Sequence, residues 1–91
     1  MAKVKFTTHL VRYFPTLENP TTAEGNTVAD VVNNLNKTYP GLADYIVDER
    51  GVLRKHVNIF VRGDLIHDRQ TLQDPVTLED EIFIFQALSG G

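Results

Sequence analysis

The sequence from 81 to 88 reads EIFIFQAL. Isoleucine and phenylalanine alternate within it, which predicts a strand with two different faces. Because successive side chains of a strand point to opposite sides, Ile82 and Ile84 can enter a core while Phe83 and Phe85 point outward. We therefore expect the fold to bury this strand on one side and to leave aromatic rings on the other.

The sequence closes with Ser89, Gly90 and Gly91. Glycine has no Cβ, so an extended Gly-Gly segment fits a channel too narrow for any side chain, and nothing crowds its terminal carbonyl. We expect 89–91 to form a flexible tail and the carboxylate of Gly91 to be the reactive group. Ser89 lies beside no plausible base and is interpreted as a tail residue rather than a nucleophile. The alternative is a frayed polar end without function.

Other strands are indicated on both sides of a single long helix. Apolar residues alternate over 3–10 and 57–62, and shorter strands are expected at 21–24 and 65–67. The segment 42–53 has the turn residues of a small hairpin, interpreted as an insertion over the sheet edge.

The helix is predicted to begin at Thr27 and to end before Pro40-Gly41. Thr27 is a favourable N-cap, and Asp30 lies near the positive end of the helix dipole. Proline cannot continue a helix, and glycine permits the turn that follows. Apolar residues recur at helical spacing between these limits, so one side of the helix is expected to be buried.

Composition limits the class of protein. The 91 residues, 42% of them hydrophobic, suit one domain over 1–91. The net charge of −3 and scattered Lys and Arg argue against a nucleic-acid partner, and the lack of cysteine excludes disulfides and thiolate chemistry. Neither a secretion signal nor an 18-residue apolar run is found, so we expect a cytoplasmic protein without membrane insertion.

No residues form an evident active site. His9, His56 and His67 follow no metal-ligand spacing, so we expect no metal. The adjacent carboxylates at 79–81 are interpreted as solvated or as contacts for a basic partner. The chain is therefore expected to be a carrier or co-substrate rather than an enzyme.

Three phenylalanines point to a docking surface. Phe60 is expected on the same outward face as Phe83 and Phe85, on a neighbouring strand. Exposed aromatic patches on small proteins usually mark a partner site, because a phenyl ring has no polar atom that justifies exposure. The alternative is that a loop or the segment 42–53 covers the rings.

Taken together, these segments resemble the MoaD/ThiS sulfur carriers over essentially the whole chain. The resemblance rests on the strand from Val4, the helix from Thr27-Val28-Ala29-Asp30 to Tyr39-Pro40, the strand Val57–Val61 before a glycine turn, Asp80-Glu81 and the terminal Gly90-Gly91. It implies an α+β, ubiquitin-like β-grasp fold, in which a mixed sheet of four to five strands packs on one main helix. The MoaD-like branch, the small-subunit type of molybdopterin synthase, is the expected subtype.

The resemblance also implies a chemistry. The family's C-terminal glycine, here Gly91, is adenylated by a ubiquitin-activating-like adenylyltransferase that uses ATP and Mg²⁺, and a sulfur donor then converts it to a thiocarboxylate. The expected acceptor partner is a molybdopterin synthase large subunit, with cysteine, thiazole or tRNA pathways as alternatives. The carrier itself is expected to bind no cofactor. Phe60, Phe83 and Phe85 match the family's apolar contact surface.

Two other functions remain open from the sequence. The activated Gly91 could instead be joined to lysines of other proteins, as in ubiquitin-like tagging, or the chain could be a β-grasp interaction module whose glycines are incidental.

Overall fold

A computed structural model describes residues 1–86. Its sheet has five strands in the order β2-β1-β5-β3-β4. They are β1 (Ala2–Phe6), β2 (Thr21–Ala23), β3 (Val57–Val61), β4 (Asp64–Leu65) and β5 (Glu81–Gln86). The β1–β5 pair is parallel and the other pairs are antiparallel, so the sheet is mixed. β5 lies at the centre, and the predicted α+β β-grasp fold is confirmed.

The main helix, α2 (Val28–Thr38), begins where the sequence predicted. Thr27 Oγ1 accepts a hydrogen bond from Asp30 N at 3.2 Å, and Asp30 Oδ2 accepts one from Asn26 N at 3.1 Å. The first contact satisfies one of the N–H groups that a helix start leaves without partners, and the second ties the residue before the N-cap to the first turn. A Cβ on Gly25 would lie 2.8 Å from Asp30 Cβ, so this entry to the helix requires glycine.

One core lies between α2 and the inner face of the sheet. The helix contributes Val28, Val31, Val32 and Leu35, all buried. β5 contributes its two isoleucines, and the flanking strands add the alternating residues Val4, Phe6, Val57, Ile59 and Val61. Every second residue of each strand and every third or fourth residue of the helix therefore face the same core.

The predicted strand over 3–10 is too long. β1 ends at Phe6, and a short helix, α1 (Thr8–Val11), brings Leu10 into the core. β1 stays paired with β5 as far as Phe6, but its pairing with β2 ends at Val4–Thr21, next to Pro20, which has no N–H to donate. The Asn19 side chain then bonds both Phe6 N and Phe6 O, each at 3.0 Å, and ends the strand.

The predicted hairpin over 42–53 is only partly correct. Its first half is a helix, α3 (Leu42–Ile46), which packs against α2. Asn36 Oδ1, on α2, accepts hydrogen bonds from Gly41 N and Ala43 N and so caps the start of α3. The second half does fold back, since Val47 and Leu53 form an antiparallel bridge.

The predicted bounds of β4 are slightly wrong, and those of β5 are tested only in part. β4 occupies 64–65 rather than 65–67, because β3 and β4 are joined by a two-residue turn. Arg62 and Gly63 in that turn both have positive φ, 53° and 83°, the pattern of a type I′ hairpin. β5 is described as far as Gln86, and the predicted positions 87 and 88 lie outside the described residues.

Candidate functional site

The outer face of the sheet carries the three predicted aromatic rings. Phe60 and Phe83 are directly paired across β3 and β5, with ring centroids 6.3 Å apart, and the Phe83 and Phe85 centroids are 6.0 Å apart. Phe83 and Phe85 each remain 38% exposed, whereas Ile82 and Ile84 on the same strand are 1% exposed. The predicted faces of β5 are thus confirmed, and the segment 42–53 does not cover the rings.

These rings line a shallow groove of about 690 Å³, which we call the aromatic groove. Its lining residues are Lys5, Asn58, Phe60, Gly63, Glu81, Ile82, Phe83 and Phe85. At the Glu81 end, Lys5 Nζ and Glu81 Oε1 form an exposed ion pair at 3.3 Å. At the Phe85 end, Asn58 is the cross-strand partner of Phe85. The groove therefore has an apolar floor and a polar group at each end.

The Glu81 end of the groove is held by Asp80, which was predicted to be solvated or to contact a basic partner. Asp80 is 5% exposed, forms an ion pair with Arg62 Nη1 at 2.5 Å and accepts from Thr77 N at 2.7 Å. The hydrogen bond from Arg62, with that from Thr77 N, lowers the pKa of Asp80, and the same ion pair raises the pKa of Arg62. Asp80 therefore anchors the turn before β5, and the expectation of three solvated or partner-binding carboxylates is wrong for it.

The loop from 66 to 74 is organised by two other carboxylates. Asp68 accepts from the backbone N–H groups of Gln70, Thr71 and Gln73 and from the Thr71 hydroxyl. Chiefly because of the Thr71 side-chain hydrogen bond, the pKa of Asp68 falls to about 2. Asp74 accepts from His67 N and Asp68 N at 2.9 and 2.8 Å. The spacing Asp68-x-x-Thr71 would have predicted a turn here, because Asp side chains often accept hydrogen bonds from nearby backbone N–H groups.

β5 delivers the chain to the Phe85 end of the aromatic groove. Gln86, the last described residue, is paired with Val57, and its N–H donates to Thr7 Oγ1 at 3.2 Å. The predicted tail, Ser89, Gly90 and Gly91, lies outside the described residues. The reactive role of Gly91 therefore stays a prediction.

Two further observations concern ligands and membranes. Within residues 1–86, no three His, Cys, Asp or Glu side chains are grouped as they would be around a metal ion. In the same part of the chain, every helix is too short or too polar to span a bilayer.

Solved structures with this fold cover nearly the whole chain. CysO from Amycolatopsis orientalis, in a complex with BexX, gives a TM-score of 0.85 at 22% identity and covers 100% of both chains. CysO from Mycobacterium tuberculosis gives 0.84 at 23%, covering 97% of this chain and 100% of the other. The small archaeal modifier protein SAMP1 from Methanosarcina acetivorans gives 0.76 at 30%, covering 99% and 95%.

Sequence comparison assigns the family. No curated protein matches the chain significantly. The model of the ThiS family, however, matches residues 4–91, which is almost the entire sequence and includes the final glycines. The chain therefore belongs to the ThiS family of small ubiquitin-like carrier and modifier proteins.

Proposed function

We propose that this protein is a sulfur carrier whose Gly91 carboxylate is activated and converted to a thiocarboxylate. The observation that carries the proposal is the ThiS-family match, which runs through Gly91. The exposed aromatic groove supports it, because the groove ends where β5 delivers the chain toward the tail. A partner bound over Phe83 and Phe85 would lie beside Gln86, the last described residue.

The proposed reaction follows from the chemistry of carboxylates. A carboxylate is a poor acyl donor until one of its oxygens becomes a leaving group. The Gly91 carboxylate attacks the α-phosphorus of ATP, which releases pyrophosphate and forms an acyl-adenylate. Hydrosulfide, or a sulfur donor that supplies it, then displaces AMP and leaves the thiocarboxylate. Mg²⁺ and ATP belong to the activating enzyme in this scheme, and the carrier contributes the tail and the docking surface.

For the acceptor, we propose the MoaD-like role, in which the thiocarboxylate delivers sulfur to a molybdopterin precursor on a large synthase subunit. Cysteine, thiazole and tRNA acceptors are the competing routes. Purified thiocarboxylated carrier, incubated separately with each acceptor enzyme and its substrate, should lose its sulfur only with the molybdopterin synthase subunit. Transfer to a different acceptor would reject this subtype while keeping the carrier function.

The charging step itself is tested by intact-mass measurement. After incubation with the activating enzyme, ATP, Mg²⁺ and a sulfur donor, the protein should gain about 16 Da, because one carboxylate oxygen is replaced by sulfur. Fragmentation should locate the gain at Gly91. An unchanged mass with an enzyme that charges another carrier would contradict the proposal.

Protein modification is the second candidate, favoured by the likeness to a protein named as a small archaeal modifier at 30% identity. In that case a lysine amine displaces AMP and forms an isopeptide bond. Immunoblots under reducing, denaturing conditions should then show a ladder above 10.3 kDa that depends on Gly90-Gly91. If charging occurs in the same cells but no ladder forms, sulfur carriage is the function that remains and protein modification is rejected.

A further inference from the structure

The side-chain amide of Asn58 is held in one orientation. Arg69 Nη1 donates to Asn58 Oδ1 at 3.0 Å. A guanidinium has only donors, so the amide oxygen must face Arg69 and the NH₂ group must point away from it. Among residues 1–86, the hydrogen bond from Arg69 to Oδ1 is the one that the Asn58 side chain makes, so its NH₂ group is available to a partner. Asn58 therefore presents hydrogen-bond donors beside Phe85 in the aromatic groove.

Arg69 is itself fixed, and only by neutral groups. Its Nη2 donates to Arg54 O at 3.0 Å and to Val57 O at 2.9 Å, and its own carbonyl accepts from Leu53 N at 2.9 Å. None of these acceptors carries a full negative charge. Among residues 1–86, the positive charge behind the Asn58 amide therefore has no carboxylate as an ion-pair partner.

Two exposed cations lie on the turn that leads into β3. Arg54 Nε bonds a backbone carbonyl, Asp44 O, at 2.8 Å, and Lys55 is fully on the surface. In the described part of the chain the ion pairs are Lys5–Glu81, Arg50–Asp48 and Arg62–Asp80. Arg54, Lys55 and Arg69 are in none of them. Arg69 contacts Asn58, which lines the groove, so the positive charge of Arg69 lies directly behind this end of the groove.

We propose that the Phe85 end of the aromatic groove binds an acidic side chain of the activating enzyme, with apolar neighbours of that side chain covering Phe83 and Phe85. The inference rests on the proposed function, since it names the chemistry of the surface that the activating enzyme presents. Its carboxylate accepts from the Asn58 NH₂ group, and the Arg69 charge reinforces the contact. Because Val57 pairs with Gln86, this contact lies next to the last described residue of β5.

Asn58→Asp is the sharpest test. The substitution keeps the shape and can still accept the hydrogen bond from Arg69, so the domain should fold with an unchanged or higher Tm. It replaces the donor with a carboxylate that repels an acidic partner. The KM of the carrier in the charging reaction should rise at least about tenfold, with little change in kcat.

Asn33→Asp is the matched control, because it makes the same charge change on the exposed side of α2. It should leave KM unchanged. An unaltered KM for Asn58→Asp, or an equal rise for both variants, would overturn the inference. Failure of the wild-type protein to gain mass would instead reject the proposed function.

A test without the enzyme uses two peptide probes, acetyl-Leu-Asp-Phe-amide and acetyl-Leu-Asn-Phe-amide. At millimolar concentration, the acidic peptide should shift the NMR signals of the Asn58 side-chain amide and the Phe85 ring more than the neutral peptide does. Equal shifts, or none, would contradict the proposal. If amidation of the Gly91 carboxylate alone shifts the Asn58 amide as much as the acidic peptide does, the chain's own carboxylate is the occupant and the proposal is wrong.

Discussion

The two faces of β5 differ in exposure although their residues are neighbours in sequence. Ile82 and Ile84 are 1% exposed against the core, whereas Phe83 and Phe85 are 38% exposed on the aromatic groove. A buried side chain contributes to folding through burial and packing, and an exposed ring can contribute mainly when a partner covers it. We therefore propose that alternate residues of one strand serve two separate ends, stability on the inner face and recognition on the outer face.

The largest effect on stability is expected from Ile84→Ala. It empties a fully buried position between β1 and β3, where Ile84 is paired with Phe6 and Ile59. The free energy of unfolding should fall by about 2 to 5 kcal/mol. Chemical denaturation of the purified variant measures it. A loss below that of Phe85→Ala would mean that the inner and outer faces are assigned the wrong way round.

Phe85→Ala should show the opposite behaviour. Because the ring is partly exposed, its removal leaves no enclosed cavity, and unfolding should change little. Binding to the activating enzyme should weaken by about 1 to 3 kcal/mol, as expected for an aromatic anchor. Titration calorimetry measures the change. Thr22→Ala, an exposed position on edge strand β2, is the control and should bind like the wild type.

Asp80→Asn tests stability that comes from a polar contact. Replacing the carboxylate removes the ion pair to Arg62 while keeping an acceptor for Thr77 N. Because the Arg62 side chain is 56% exposed, the loss should be modest, about 1 kcal/mol of unfolding free energy. Glu79→Gln, an exposed neighbour, should leave denaturation unchanged. Equal effects of the two substitutions would indicate a change of net charge rather than loss of this contact.

A smaller effect is expected from pH at Asp68. Its folded-state pKa is about 2, lowered from 3.8, so the ionised form stabilises the fold above pH 4 and this contribution is lost as pH falls toward 2. The difference in Tm between wild type and Asp68→Asn should therefore be largest near neutral pH and shrink between pH 4 and pH 2. A constant difference across that range would contradict the role of the charge.

Much of the fold could be predicted because its signals are local. The alternation of Ile and Phe defines both faces of β5, and Thr27 with Asp30 defines the start of α2. The end of β1 could not be predicted in the same way. Leu10 fits a strand pattern equally well, and what ends the strand is a contact with Asn19, 13 residues from Phe6.

The aromatic residues of the candidate site could be predicted from the sequence, but the polar groups at its two ends could not. Phe60, Phe83 and Phe85 follow from strand periodicity alone. The orientation of Asn58 depends on Arg69, which is placed by a loop that Asp68 organises. The burial of Asp80 depends on an arginine 18 positions away. Such contacts require the folded arrangement of several loops, so no single stretch of sequence reveals them.

The separation of recognition from chemistry is tested most directly by a Gly91-deleted protein used as an inhibitor of wild-type charging. The deletion leaves a carboxylate on Gly90, one residue short of the position that the activating enzyme acts on, and leaves the aromatic groove intact. We predict that it gains no mass itself and inhibits wild-type charging competitively, with an inhibition constant close to the wild-type KM. A deleted protein that fails to inhibit, or that is charged as efficiently as the wild type, would contradict the account.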